Sequence, residues 1–451
     1  MAWFGKRFPT VSNVQAQWLD FRHGFKDRFF RQLFRNVGIL LRGDVFSSLL
    51  GFASLALTSR TLGPQLFGVL ALAQTYAQVI DRLCNFQSWQ ALIKFGAEAL
   101  ERRDSEDFKR MVKLSSMLDA AGALTGTTVA LLLAPTCGGW FHWDDQTVRL
   151  ATAYSFVILF AASGTPTAIL RLLDRFQLFA AQRVFFEGLR LTAVAVAFSQ
   201  DAQLPVYVGI WMAADVFKHV FLLVSAHTVL WRTGMRAWWR SPLGRWRSLV
   251  AFNGWSNLAS TLDLPVKQLD LFIISAVVSA QAVGVFRVFK QVAQVLSKVA
   301  DPIYYALYPQ FARLIAQAQG TQASRTAARL GVLLGALAFP LVALMALSSP
   351  WWLGTIFGQA YAADWAVLSV YLGIQAFALC FQGIHPLFLA LGYVRMNCWI
   401  LAAANASFVL IAWLLGARIG LLGVVVAYGV QSAIAAAGKT TVVWARTRAA
   451  C

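Results

Sequence analysis

Charge is what this 451-residue chain has least of: 13% of its residues are Asp, Glu, Lys or Arg, against 58% hydrophobic. Its mean hydropathy is +0.60. So little charge excludes an ordinary water-soluble globule, which needs polar surface in quantity. Cysteine is scarce too. The five cysteines (Cys84, Cys137, Cys380, Cys398, Cys451) include no CxxC pair and no metal-ligand spacing, and only Cys137 falls in an expected outside loop, so no disulfide is expected. His142 and His385 each lack a second ligand cluster, so no metal is expected. There is no Walker-type glycine loop, which leaves ATP without a site on this chain. The alternation over roughly 10 residues that marks a membrane-barrel strand is missing as well.

What remains is long apolar runs, among them 329–348, 365–391 and 421–438. Each is close to the roughly 20 residues that a helix needs to cross a bilayer core. The pattern predicts an all-α polytopic membrane protein with twelve transmembrane helices. The expected segments lie at about 38–60, 66–88, 112–134, 147–170, 184–200, 205–230, 249–276, 282–306, 329–348, 365–391, 398–416 and 421–444. The chain then divides into a basic amphipathic segment (1–36), a six-helix lobe (37–231), an Arg-rich inter-lobe loop (232–248), a second six-helix lobe (249–444) and a tail (445–451).

Charge is also lopsided: 39 basic residues against 20 acidic, a formal +19. In a soluble protein this would suggest nucleic acid; here the placement argues against it. With the N-terminus inside, 26 of the basic residues fall in cytoplasmic pieces, and the outside loops hold one, Arg418. The positive-inside rule therefore puts both termini in the cytoplasm and supports an even helix count. The first 36 residues hold no apolar signal-peptide core. Instead Trp18–Asn36 interleaves aromatics with Arg and Lys, as an interfacial helix on anionic lipid or a solvated extension would. The longest outside loops, Ala134–Asp145 and Ser349–Asp364, leave no room for a catalytic domain, so no enzyme activity is expected.

One apolar segment is written twice. Phe67–Leu83 and Val283–Val299 share Gly-Val and Ala-Gln-Val at an offset of 216 residues, close to half the chain. Six helices to a half would make the halves parallel repeats about an axis along the membrane normal. Twelve cations fall in or beside the expected helices; Arg60, Arg149 and Lys439 suit snorkelling from helix ends. Seven of the twelve lie on the first, second, seventh and eighth segments, which predicts a water-filled cationic cleft between those four. On the eighth, Arg287, Lys290, Gln294, Lys298 and Asp301 form one stripe, and Gln74, Gln78 and Arg82 align with its last three basic or amide positions. The candidate substrate-binding residues are Arg82, Arg287, Lys290, Lys298, Gln78, Gln294, Arg42 and Lys267. Asp44, Asp263, Asp270 and Asp301 are candidate sites for proton or sodium coupling, with no other cofactor expected. Asp44 beside Arg42, and Lys267 three residues from Asp270, fit structural ion pairs equally well.

"LTSRTLGPQLFGVLALAQTYAQVIDRL" (Leu57–Leu83), with its "TLGPQLFG" turn, resembles the opening of the Wzx-like polysaccharide flippases of the multidrug/oligosaccharidyl-lipid/polysaccharide exporter superfamily. "KQLDLFIISAVVSAQAVGVFRV" (Lys267–Val288) and "LYPQFARL" (Leu307–Leu314) are similar to that family's mid-chain signature and the end of its eighth helix. The resemblance implies two lobes forming a V in a bacterial inner membrane. It implies translocation of undecaprenyl-diphosphate-linked oligosaccharide from the cytoplasmic to the periplasmic leaflet. The diphosphate would be held by Arg82, Arg287, Lys290 and Lys298, and the sugars by Gln74, Gln78 and Gln294. Polysaccharide polymerase or export proteins are the implied partners. Related lipid II flippases place an Arg on the second helix, where Arg82 lies, but this chain lacks their two extra C-terminal helices. One rival is a membrane polymerase or ligase, which would need a sizeable outside loop with Arg and His; a second is a non-transporting scaffold, docking through the basic N-terminus and Arg232, Arg236, Arg240, Arg245 and Arg247, which predicts no cationic stripe inside the bundle.

Overall fold

The computed structural model describes residues 28–85, 88–242, 268–317 and 319–449, and among them every regular element is helical. The first half contains α1 (Arg28–Cys84), α2 (Ser88–Glu101), α3 (Ser105–Trp140), α4 (Asp145–Ser155), α5 (Val157–Phe160), α6 (Gly164–Leu172), α7 (Phe176–Ser199) and α8 (Leu204–Arg232). The second contains α9 (Asp270–Val277), α10 (Ala280–Ala316), α11 (Gly320–Ile356), α12 (Gln359–Ala362), α13 (Trp365–Cys380), α14 (Ile384–Ala390), α15 (Val394–Ile419) and α16 (Leu421–Ala449).

Among the described residues, eight helical spans are long and apolar enough to cross a membrane, fewer than the twelve expected. The shortfall has physical sources. The first two expected segments run together in α1, α7 carries Arg183, Glu187 and Arg190, and α10 carries Arg287, Lys290, Lys298 and Asp301. Most of the expected seventh segment lies outside the described residues. The chain is an all-α polytopic membrane protein.

Within α1 the turn falls on Gly63, at φ 67° and ψ 172°, a conformation that glycine adopts at little steric cost. Pro64 then opens the second leg, where its missing N–H is no loss. Ser47 and Gln78 line one cavity, whereas a straight helix would hold them about 46 Å apart. The chain therefore doubles back at Gly63.

The two halves meet where the second leg of α1 crosses α10. A Cβ on Gly68 would fall on the Ala280 carbonyl, and one on Gly284 would fall on the Pro64 carbonyl; each would lie 3.0 Å from the other glycine's nitrogen. Gly68 and Gly284 are the aligned glycines of the sequence repeat. Further contacts join the halves toward the same end, opposite the basic loops. Arg60 Nη1 donates to the Thr355 carbonyl (2.5 Å), Tyr361 Oη to the Ser59 carbonyl (3.3 Å) and Trp143 Nε1 to Ser275 Oγ (3.0 Å).

The apolar core follows the same division. One cluster runs through both halves, with Leu72, Tyr76 and Tyr154 beside Phe286, Phe289 and Phe408. Nearer the basic loops the core splits in two. Phe108, Leu170, Phe179 and Leu222 pack within the first half, and Phe311, Leu387 and Phe388 within the second. Among the described residues, the halves are thus joined at one end and packed in separate clusters at the other.

Gly284→Val is expected to lower thermal stability in detergent markedly, because the added carbons meet backbone; overpacking costs about 1–3 kcal/mol or more. Gly139→Ala, which meets nothing within 4 Å, serves as the neutral control. Equal melting of the two variants would refute the close approach.

Candidate functional site

A cavity of about 280 Å³ opens between the two halves. Its wall comprises Ser47, Ser48, Gly51 and Leu55 from the first leg of α1, Gln74 and Gln78 from the second, Glu187 and Arg190 from α7, Trp211, Asp215 and Lys218 from α8, and Arg287 and Gln291 from α10. Gln74 lies six residues beyond Gly68, or about 9 Å along the helix, on the side toward the basic loops. A second cavity of about 190 Å³ shares Gln78, Asp215 and Lys218 with the first and adds Asp81, Tyr154 and His219.

The wall is an ordered set of charges. Arg190 and Glu187, one turn apart on α7, form an ion pair, and the Arg190 guanidinium lies 4.2 Å from the centre of the Trp211 ring. Lys218 Nζ lies 3.5 Å from Asp215 Oδ1, whose other oxygen accepts from Tyr154 Oη at 2.7 Å. Both pairs belong to the first half. Arg287 comes from the second half, and its Nη2 donates to the neutral Gln74 Oε1 at 3.4 Å. Three cations against two carboxylates leave the cavity wall one positive charge in surplus, and the surplus sits on α10. A guanidinium at such a place offers two parallel N–H donors to a phosphate or carboxylate oxygen pair.

Of the residues expected from sequence, Arg287, Gln74 and Gln78 stand in this wall. Lys290 does not. Its Nζ donates to Asp270 Oδ2 at 2.6 Å, and Tyr428 Oη donates to the same oxygen; Asp270 is fully buried. The stripe read along one helix missed this acid because α9 supplies it. Arg42 and Gln294 are exposed and Arg82 is half-buried, and none of the three lines the cavity. Asp44 pairs with Arg183 of α7, in a separate cavity. Lys298 and Asp301 lie on the described backbone of α10, but their side chains, with all of Lys267 and Asp263, fall outside the described residues. Lys439, expected to snorkel, is instead 9% exposed, with its Nζ 3.2 Å from His385 Nδ1.

Sequence reasoning placed the cleft among the first, second, seventh and eighth segments; the described wall uses α1 and α10 together with α7 and α8. The signal was present. "EGLR" (Glu187–Arg190) and "DVFK" (Asp215–Lys218) each set an acid three residues before a base inside an apolar stretch, and Trp211 lies one turn before Asp215. Neither motif is repeated in the other half, so the repeat does not mark them.

The family described as polysaccharide biosynthesis protein matches residues 33–315. Inner membrane protein YghQ of Escherichia coli (strain K12) is 35% identical over 182 residues, which cover 40% of this chain and 51% of that protein. The chain therefore spans about half the length of this curated relative. Among solved structures, an inward-facing multidrug resistance MATE family transporter of the MOP superfamily aligns with TM-score 0.73 at 15% identity, covering 90% of this chain and 95% of that one. The lipid II flippase MurJ in its inward closed conformation aligns with TM-score 0.68 at 9% identity, covering 89% and 86%. At such identities the likeness is one of fold.

Asp270→Asn is expected to destabilise the protein by about 3–5 kcal/mol, because it removes the carboxylate charge that faces the buried Lys290 ammonium. Asp270→Asn/Lys290→Met is expected to recover most of that loss. Chemical denaturation in detergent micelles checks both; a double variant no better than the single would remove the ion pair as the cause.

Proposed function

Because the chain belongs to the polysaccharide biosynthesis protein family, we propose that it is an inner-membrane flippase for diphosphate-linked lipid oligosaccharides. In this reading it carries them from the cytoplasmic to the periplasmic leaflet by alternating access and catalyses no bond chemistry. The observation that carries the reading is Arg287, a cation in a polar cavity beside the close approach of the two halves at Gly68 and Gly284. A charge near the centre of a bilayer costs about 2.5–3.5 kcal/mol even on the lenient scale. A cargo with phosphate at that depth supplies the counter-charge that Gln74 does not.

The halves are joined opposite the basic loops, so the observed state would be open toward the cytoplasm. Diphosphate would enter beside Arg287, with sugars against Gln74, Gln78 and Gln291 and the lipid tail remaining in the bilayer. Closing the basic-loop end and parting the Gly68–Gly284 contact would then expose the cargo on the other side. Arg287 travels with the second half, whereas the two ion pairs remain with the first. Proton or sodium coupling belongs to the same proposal. Glu187 and Asp215 face the cavity and join the earlier carboxylate candidates; like Asp44 and Asp270, each holds a cationic partner.

The test is transbilayer movement of undecaprenyl-diphosphate oligosaccharide in proteoliposomes, with lipid II as a second cargo. Wild type is expected to move the oligosaccharide lipid, and Arg287→Gln to slow it by tenfold or more, since losing a charged contact to phosphate costs about 2–5 kcal/mol. Arg82→Ala is expected to stay close to wild type. Movement of lipid II alone would replace the cargo. No movement of either by folded protein under a proton or sodium gradient would favour the scaffold.

A further inference from the structure

A third cavity, of about 360 Å³, is lined by Asp44 of α1, Arg171 of α6, and Phe176, Phe179 and Arg183 of α7. It shares no lining residue with the central cavity. Arg171 closes α6, and Phe176 opens α7, so the cavity lies toward the basic-loop end of the bundle. We propose that it binds the phosphate headgroup of an anionic membrane lipid, as a site separate from the transported cargo.

Three observations support this. The first is charge: the cavity wall holds two guanidinium groups and one carboxylate. Asp44 is the ion-pair partner of Arg183, and Arg171 has no carboxylate partner among the described residues. The second is that Arg171 is held in place rather than free in water. Its guanidinium stands 5.0 Å from the centre of the Trp89 ring and 5.9 Å from that of Phe179. Aromatic faces stabilise a cation there but leave its charge and its hydrogen-bond donors unanswered. A phosphate answers both, since its oxygens match the planar donor array of arginine.

The third observation distinguishes a lipid from a soluble anion. Val45, Phe46 and Leu49 of α1 and Phe185 of α7 are each more than half exposed. In a membrane-spanning bundle such side chains face acyl chains, so an apolar surface leads away from the charged cavity along both of its flanking helices. The walls are also fixed: a Cβ on Gly43 would lie 2.9 Å from Ala180 Cβ, so α1 and α7 pack closely beside the cavity. A headgroup in the cavity with tails along α1 and α7 uses the polar and apolar parts together.

The experiment is native mass spectrometry of the full-length protein, purified in detergent and offered equimolar phosphatidylglycerol and phosphatidylcholine. Wild type is expected to retain phosphatidylglycerol preferentially, and Arg171→Gln to lose several-fold of that preference. Asp44→Asn is expected to increase it, because the carboxylate no longer competes with phosphate for Arg183; a residue serving only structure would not raise lipid retention. Equal retention of the two lipids, or unchanged preference in both variants, would overturn the proposal. Complete displacement of phosphatidylglycerol by millimolar inorganic phosphate would overturn the lipid assignment in favour of a soluble anion.

Discussion

The backbones of the second leg of α1 and of α10 touch at Gly68 and Gly284, and the rest of the functional geometry depends on that approach. Without side chains at the crossing, two helices come close enough for each to meet the other's peptide groups. The two glycines are equivalent positions of one repeat, so their contact relates the helices by an approximate two-fold. A turn or two farther along, the same crossing sets Gln74 against Arg287. Any residue with a side chain at the crossing would spread the helices and part those groups.

Electrostatics then breaks the symmetry that the backbone establishes. By the repeat, Arg287 corresponds to Ala71 and Lys290 to Gln74, so charge was placed on one copy alone. The structure divides that charge by task. Lys290 is neutralised within its own half by Asp270, with Tyr428 as a further donor. Arg287 reaches into the space between halves, where the first half presents an amide and two pairs already closed on themselves. Burial and counter-charge, rather than position on the stripe, decide which of the two cations faces the cavity.

Much of the fold was legible because it rests on composition and on glycine. The apolar runs, the basic loops and the "TLGPQ" turn are local features that the long apolar helices follow; the separate α2 and the breaks within the expected 147–170 and 365–391 segments do not follow from them. The site was legible in part. Arg287 and Gln78 could be read from their place on the repeat, since the repeat sets the crossing that points them inward. Lys290, Asp44 and Lys439 could not, because their partners Asp270, Arg183 and His385 come from other helices. A stripe counted along one helix is blind to an acid on its neighbour. Arg190 and Lys218 escaped for another reason: neither lies on the repeated segment, although both, each with an acid one turn away, line the cavity.

The pairing of Lys290 with Asp270 also bears on how the chain enters the membrane at all. With Arg287, Lys290, Lys298 and Asp301 along its length, α10 is a poor candidate for partitioning into lipid by itself, since each such charge opposes insertion by about 2.5–3.5 kcal/mol at the centre of a helix. Its counter-ion, however, lies only twenty residues earlier, at the start of α9, and a short connection separates the two helices. A hairpin that closed this ion pair before leaving the insertion machinery would present the bilayer with one unit, part of its charge already cancelled.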